Sequence, residues 1–166
     1  MLSPRAAAAH GISTNPTQQS RQAPRYEANY WPIPGQYGSD RRAEVDLGRQ
    51  TASFFASDTL VYQALISTGR PPDFTPAGEY RIFSRHERTR LVSNGSTFKT
   101  YNIPDVLHVQ YFTKRWIGFH YAYWHDEFGR VWSAGCINMR LDDARWAWDF
   151  CRYGMRVIVR PPVPAG

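Results

Sequence analysis

A chain of 166 residues with a net charge of +6 is long enough to bury one substantial core and too short for two comfortable ones. The positive charge is almost all arginine, Lys99 and Lys114 being the lysines, and it is spread along the chain. That spread argues against a dedicated nucleic-acid groove and leaves anionic polymers or surfaces as the partners a basic balance favours. No run of eighteen apolar residues occurs, so no transmembrane segment is expected, and the short Ala6–Ala9 run is too weak to serve as the apolar region of a secretory signal.

Residues 1–42 combine prolines at 4, 16, 24, 32 and 34 with a Gln/Ser/Thr/Asn-rich middle and few aliphatic side chains. Such a stretch cannot bury enough surface to fold alone, and it reads as a linker or arm. Its aromatic residues Tyr26, Tyr30, Trp31 and Tyr37 are expected to pack back on the folded domain or on another subunit. From Ala43 the texture changes to short runs rich in Val, Ile, Tyr and Phe. Strands are expected at 44–47, 51–56, 60–68, 80–83, 106–112, 117–121 and 156–159. Ser57-Asp58 reads as a hairpin turn, and Gly69-Arg70-Pro71-Pro72-Asp73, with two ladder donors missing, as a surface loop. Two further loops are expected at 93–96 and 102–105.

One helix is expected over 142–153, with Asp142 as N-cap, Gly154 at C′ and an apolar stripe of Ala144, Ala147, Trp148 and Cys151. Cys151 is thereby assigned to packing. The domain then spans 43–160, mostly β with one helix, followed by a tail at 161–166.

The chemistry concentrates between His120 and Met139. A thiol is a strong nucleophile only as thiolate, and an imidazole can take its proton, so Cys136 with a histidine is the minimum equipment for acyl transfer. Gly135 permits a tight turn ahead of Cys136, and amides near these two residues are candidate oxyanion donors. In an extended 117–121 segment, Ile117, Phe119 and Tyr121 share one face while Gly118 and His120 share the other. If His120 draws off the thiol proton, Cys136 should titrate below the ordinary value of about 8.5. His108, alternating with apolar neighbours, reads as structural. Zinc would require close ligand pairs that the sequence does not offer, so neither a metal nor another cofactor is expected.

The order His120, Trp124-His125-Asp126, Phe128-Gly129 and Ser133-x-Gly135-Cys136-x-Asn138 resembles the signature of the L,D-transpeptidase (YkuD-like) family. Upstream, Ser67-Thr68-Gly69 and Thr75-Pro76-Ala77-Gly78-Glu79-Tyr80 are similar to that family's recurring segment. The resemblance runs from about Val45 to Val159 and implies a β-sandwich-like catalytic domain acting on peptidoglycan stem peptides. It implies a Cys136 thioester, release of D-Ala, L,D-transpeptidation or L,D-carboxypeptidase hydrolysis, acylation by carbapenems, and work at the extracytoplasmic cell envelope beside anionic wall polymer. It also implies catalytic roles for Cys136, His120 and Ser133, Ser133 orienting the imidazole or the loop. Gly135, Asn138, Trp124, His125 and Tyr121 are the substrate-side candidates. Two positions depart from the pattern: Ala134 stands where the family usually has a second histidine, and Tyr121 where a glycine often follows the first. The alternative is a catalytically weakened or inactive wall-binding module of the same fold.

Overall fold

In the computed structural model of the chain, residues 37–93 and 100–163 are described. They form nine strands and, among the described residues, one helix: β1 (Arg41–Asp46), β2 (Thr51–Ala56), β3 (Thr59–Leu65), β4 (Gly78–Arg81), β5 (Ser84–Val92), β6 (Asn102–Tyr111), β7 (Gly118–Tyr121), β8 (Ile137–Met139), α1 (Leu141–Phe150) and β9 (Arg156–Arg160). Strand order is β3-β2-β1-β9-β4 in one sheet and β5-β6-β7-β8 in the other. Most neighbours are antiparallel, but β1 pairs with β9 and β7 with β8 in parallel.

Alternation builds the core. Ala43 and Val45 on β1, Phe54 on β2 and Val157 and Val159 on β9 face inward from the larger sheet, and Phe119 and Ile137 meet them from the smaller one. Phe54 and Phe119 stand 5.9 Å apart across the gap. The helix adds Trp146, stacked on Tyr62 at 4.2 Å, and Phe150, beside Phe54 at 5.9 Å. Tyr37 packs on Trp146 and Phe150, as an aromatic folding back on the domain should. Tyr26, Tyr30 and Trp31 lie outside the described residues, as does most of the loop expected at 93–96.

The helix differs from its expected form. It begins one residue earlier, with Arg140 at the N-cap and no side-chain cap, because Asp142 and Asp143 are already in its first turn. Asp143 is turned inward to accept the Tyr62 hydroxyl at 2.6 Å. The buried face is Asp143, Ala144, Trp146, Ala147 and Phe150, so Trp146 and not Trp148 fills the core. The chain leaves the helix at Cys151, which is 3 % exposed, in keeping with a packing role. Gly154 serves the turn after the helix, at φ +79, with its amide on the Ile82 carbonyl at 2.7 Å.

Two strands were not legible. β5 reads SRHERTRLV and lies at a sheet edge with Glu87, Arg88 and Arg90 exposed, so no apolar alternation marks it. β8 has only three residues. Asn102–Asp105, expected as a loop, belongs to β6. The β5–β6 ladder breaks register between Thr89 and Leu91, and positive φ at Asp105 accommodates the irregularity. Leu91, Val106 and Val109 form a second small cluster within this hairpin, with Tyr101, Ile103 and Tyr111 against it.

Candidate active site

The adjacent parallel strands β7 and β8 set the site. His120 sits opposite Asn138 in their register, and Cys136 immediately precedes β8. Phe119 packs inward and Tyr121 against the same core, so His120 faces away from it into a cleft of about 380 Å³. Cys136, Ser133, Ala134, Asn138, Trp124 and Trp132 share that cleft.

The loop carrying Cys136 is braced from within and from outside. The Ser133 hydroxyl donates to the Cys136 carbonyl at 2.6 Å and accepts the Gly135 amide at 3.0 Å. Gly135 has φ +119, and a Cβ there would press Ile117 at 3.3 Å, so glycine is required. Outside the loop, the Thr75 hydroxyl donates to the Gly135 carbonyl at 2.6 Å and accepts the Gly69 amide at 2.9 Å. The Trp132 and Ser133 amides both reach the Thr68 carbonyl, and the Ser67 and Asn138 backbones exchange a pair of bonds. The Ser67-Thr68-Gly69 and Thr75 segments are therefore the scaffold of the Cys136 loop.

The Nδ1 of His120 lies 2.9 Å from the Tyr121 carbonyl. A carbonyl only accepts, so Nδ1 carries the proton and Nε2 is left as the basic atom. Burial pushes His120 down to about 4, the Tyr121 bond opposing it and His125 adding to it. Burial pushes the Cys136 thiol up to about 11, and the Gly118 backbone amide relieves this in part. The thiol itself points at the Trp116 carbonyl, 3.7 Å away. Against the expectation of an acidified Cys136, desolvation raises the thiol of this half-buried residue in the free protein more than the Gly118 amide lowers it.

Of the two roles expected for Ser133, bracing the loop is the one its hydrogen bonds serve, and the imidazole is met by the Tyr121 carbonyl. The Gly135 amide, spent on Ser133, is not available to an oxyanion, whereas the Cys136 amide has no partner among the described hydrogen bonds. Tyr121 contributes its carbonyl and packs its ring on the core and on Tyr123 at 6.2 Å, so it is not a cleft wall. His125 stands behind the cleft: its Nδ1 accepts the Glu127 amide at 3.0 Å and its Nε2 lies 2.8 Å from the Asn138 side-chain amide. It supports Asn138, which is 2 % exposed and does line the cleft. Burial lowers the His125 pKa, against the raising influence of Glu127 and Asp126. Trp124 lies 5.7 Å from the His120 ring and forms a wall, as does Trp132.

Sequence reasoning did not single out Arg70, Asp73, Leu91, Tyr101 or Ile103, which complete the cleft from the 69–73 loop and the β5–β6 hairpin. Tyr101 is pushed up to about 12, first by burial and then by the nearby Cys136 and Asp73. Tyr111 is pushed up for the same leading reason. The two prolines that marked 69–73 as a loop were the available signal; nothing local marked the hairpin residues.

Fold and site define a class: a two-sheet β domain whose cleft is lined by an imidazole on one strand and a cysteine just before its parallel neighbour. The L,D-transpeptidase catalytic domain (YkuD) profile matches residues 40–159, and the chain belongs to that family. An L,D-transpeptidase from Mycobacterium smegmatis matches with a TM-score of 0.67 at 24% identity, over 72% of this chain and 58% of that one. An Enterococcus faecium L,D-transpeptidase gives 0.65 at 24%, over 74% and 50%, and one from Stackebrandtia nassauensis 0.63 at 20%, over 76% and 58%. The chain thus spans between half and three fifths of these structures' lengths. No curated protein matches it.

Proposed function

We propose that the protein is a cysteine acyltransferase acting on peptidoglycan stem peptides at the extracytoplasmic face of the cell envelope. The observation that carries this reading is the placement of Cys136 and the Nε2-basic tautomer of His120 on one cleft by the β7–β8 register. As a substrate carbonyl approaches, the thiol proton passes to His120 Nε2 and sulfur bonds to the carbonyl carbon. The Cys136 amide, which has no partner among the described hydrogen bonds, is the donor this reading assigns to the oxyanion, worth roughly 3 kcal/mol in comparable reactions. Collapse breaks the C–N bond, the leaving amine of D-Ala takes the proton from His120, and a thioester remains. An acceptor amine attacks next, giving its proton to His120, and the C–S bond breaks to regenerate the thiol. Water in place of the amine gives L,D-carboxypeptidase hydrolysis.

Ala134 presents a methyl group to the cleft where the family's histidine would offer a further donor, which favours a slow enzyme over a fast one. The test is intact-mass analysis after incubation with a carbapenem, together with D-Ala release from a tetrapeptide stem. Wild type should gain one adduct on Cys136 and release D-Ala, and Cys136→Ala should do neither while remaining folded. A folded wild type that forms no adduct and releases nothing would instead identify a non-catalytic wall-binding module.

A further inference from the structure

Among the described residues one cation, Arg70, lines the cleft, and the reaction outlined above gives it no task. The Arg70 amide donates to the Ser133 carbonyl at 3.0 Å, and Gly69 forms a bridge with Ser133. The backbone there cannot retreat: a Cβ on Gly69 would stand 2.0 Å from the Asp73 carbonyl oxygen and 2.9 Å from the Gly135 Cα. Arg70 is therefore fixed relative to the loop that carries Cys136. Its guanidinium lies 5.2 Å over the Trp132 ring, and both side chains line the same cleft as the nucleophile.

A guanidinium held over an indole face still has N–H donors for a carboxylate, whose geometry its planar fork matches. In the described structure Arg42, Arg49, Arg88, Arg130, Arg140, Arg156 and Arg160 each meet a carboxylate, but no ion pair involves Arg70. Asp73, the other charged lining residue, is 9% exposed, has partners of its own and makes no ion pair with Arg70. Leu91, Ile103 and Trp124 add apolar wall to a cleft that Thr100, Tyr101, Ser133 and Asn138 also line.

We propose that Arg70, held on Trp132, is a carboxylate-binding subsite that recognises a negatively charged group about one residue from the scissile carbonyl. The assignment of that group to an acyl-donor peptide rests on the acyltransfer reading above. One backbone step spans roughly 3.5 Å, so the terminal carboxylate of a one-residue leaving group lies at the distance a side chain anchored beside the nucleophile loop can serve. A side-chain carboxylate on the donor residue is the other source of the same chemistry.

The first experiment does not depend on the peptide. Cys136 is alkylated with bromoacetyl-glycine and, separately, with bromoacetyl-glycinamide, reagents that differ only in a carboxylate one residue from the reacting carbon. The ratio of the two rates is read by mass spectrometry in wild type, Arg70→Lys and Arg70→Gln. Loss of a charge-assisted contact should lower the acid-to-amide ratio roughly tenfold in Arg70→Gln and by less in Arg70→Lys. An unchanged ratio in both variants overturns the subsite. The second experiment compares tetrapeptide donors whose terminal or side-chain carboxylate is free or amidated. The preference that disappears in Arg70→Gln names the carboxylate, and turnover with neither preference altered overturns its assignment to substrate. A shifted alkylation ratio with no turnover of any peptide supports the anion subsite and refutes the acyltransfer reading.

Discussion

Alkylation of Cys136 by neutral iodoacetamide should follow hydroxide concentration, with no plateau near neutrality. With the thiol at about 11 and the imidazole at about 4, proton transfer in the free protein crosses a gap of about seven pH units. At roughly 1.4 kcal/mol per unit this is on the order of 10 kcal/mol. The attraction between the resulting ions returns only about 4 kcal/mol even at 4 Å in an effective dielectric of 20. The neutral pair therefore wins by several kcal/mol. At pH 7 the thiolate fraction is about one in ten thousand, against about three in a hundred for an ordinary cysteine. The higher intrinsic nucleophilicity of a more basic thiolate recovers part of this, leaving alkylation on the order of 20-fold slower than that of a free cysteine. The assay is the pseudo-first-order rate of Cys136 modification from pH 6 to 10, followed by peptide mass mapping. Mapping separates it from Cys151, which is buried and pushed up to about 12. The rate should rise close to tenfold per pH unit. A rate that levels off at or below pH 7 would show a preformed thiolate–imidazolium pair and refute the reasoning.

Acid should destabilise the fold through His120: its folded value of about 4 lies below the unfolded value of about 6.5, so stability is lost as pH falls between them, by about 3 kcal/mol in full. Denaturant unfolding at pH 7 and 4.5 should show a shallower acid loss in His120→Asn, with a residual slope from His108 and His125, both also lowered by burial. Tyr62→Phe removes the donor to the 5% exposed Asp143 carboxyl and should cost about 1–3 kcal/mol in thermal or denaturant unfolding. Burial raises the Asp143 pKa, so its neutral form suits the fold and the loss in Tyr62→Phe should be greater at pH 7 than at acid pH. Gly135→Ala places a Cβ at φ +119 against Ile117 and should cost about 1–3 kcal/mol, with the modification rate of Cys136 changed.

The sequence by itself carried the parts whose physics is local. Alternation in 51–56 and 156–159 is enough to mark strands, because each second side chain must reach the core. Cys136 after a turn glycine is legible as a candidate nucleophile, whereas His120 became a candidate base only through its match to the family's first histidine, since a lone histidine in a strand otherwise reads as core. Cys151 was legible as packing even though Trp146, not Trp148, turned out to be its helix's core residue.

Tertiary structure decided the remainder. β5 is stabilised by pairing with β6 and shows a charged edge, so its own residues predict a loop as readily as a strand. Arg70 and Tyr101 enter the cleft from segments distant in sequence from Cys136, brought there by a bridge to Ser133 and by a hairpin. His125 sits at a family position and Tyr121 departs from one, yet the loop after β7 turns the first behind Asn138 and the pleat of β7 turns the second onto the core. The acidity of Cys136 was the least accessible of all. It is set by how much water the surrounding chain excludes from sulfur, a property of the packed whole that no spacing of residues contains.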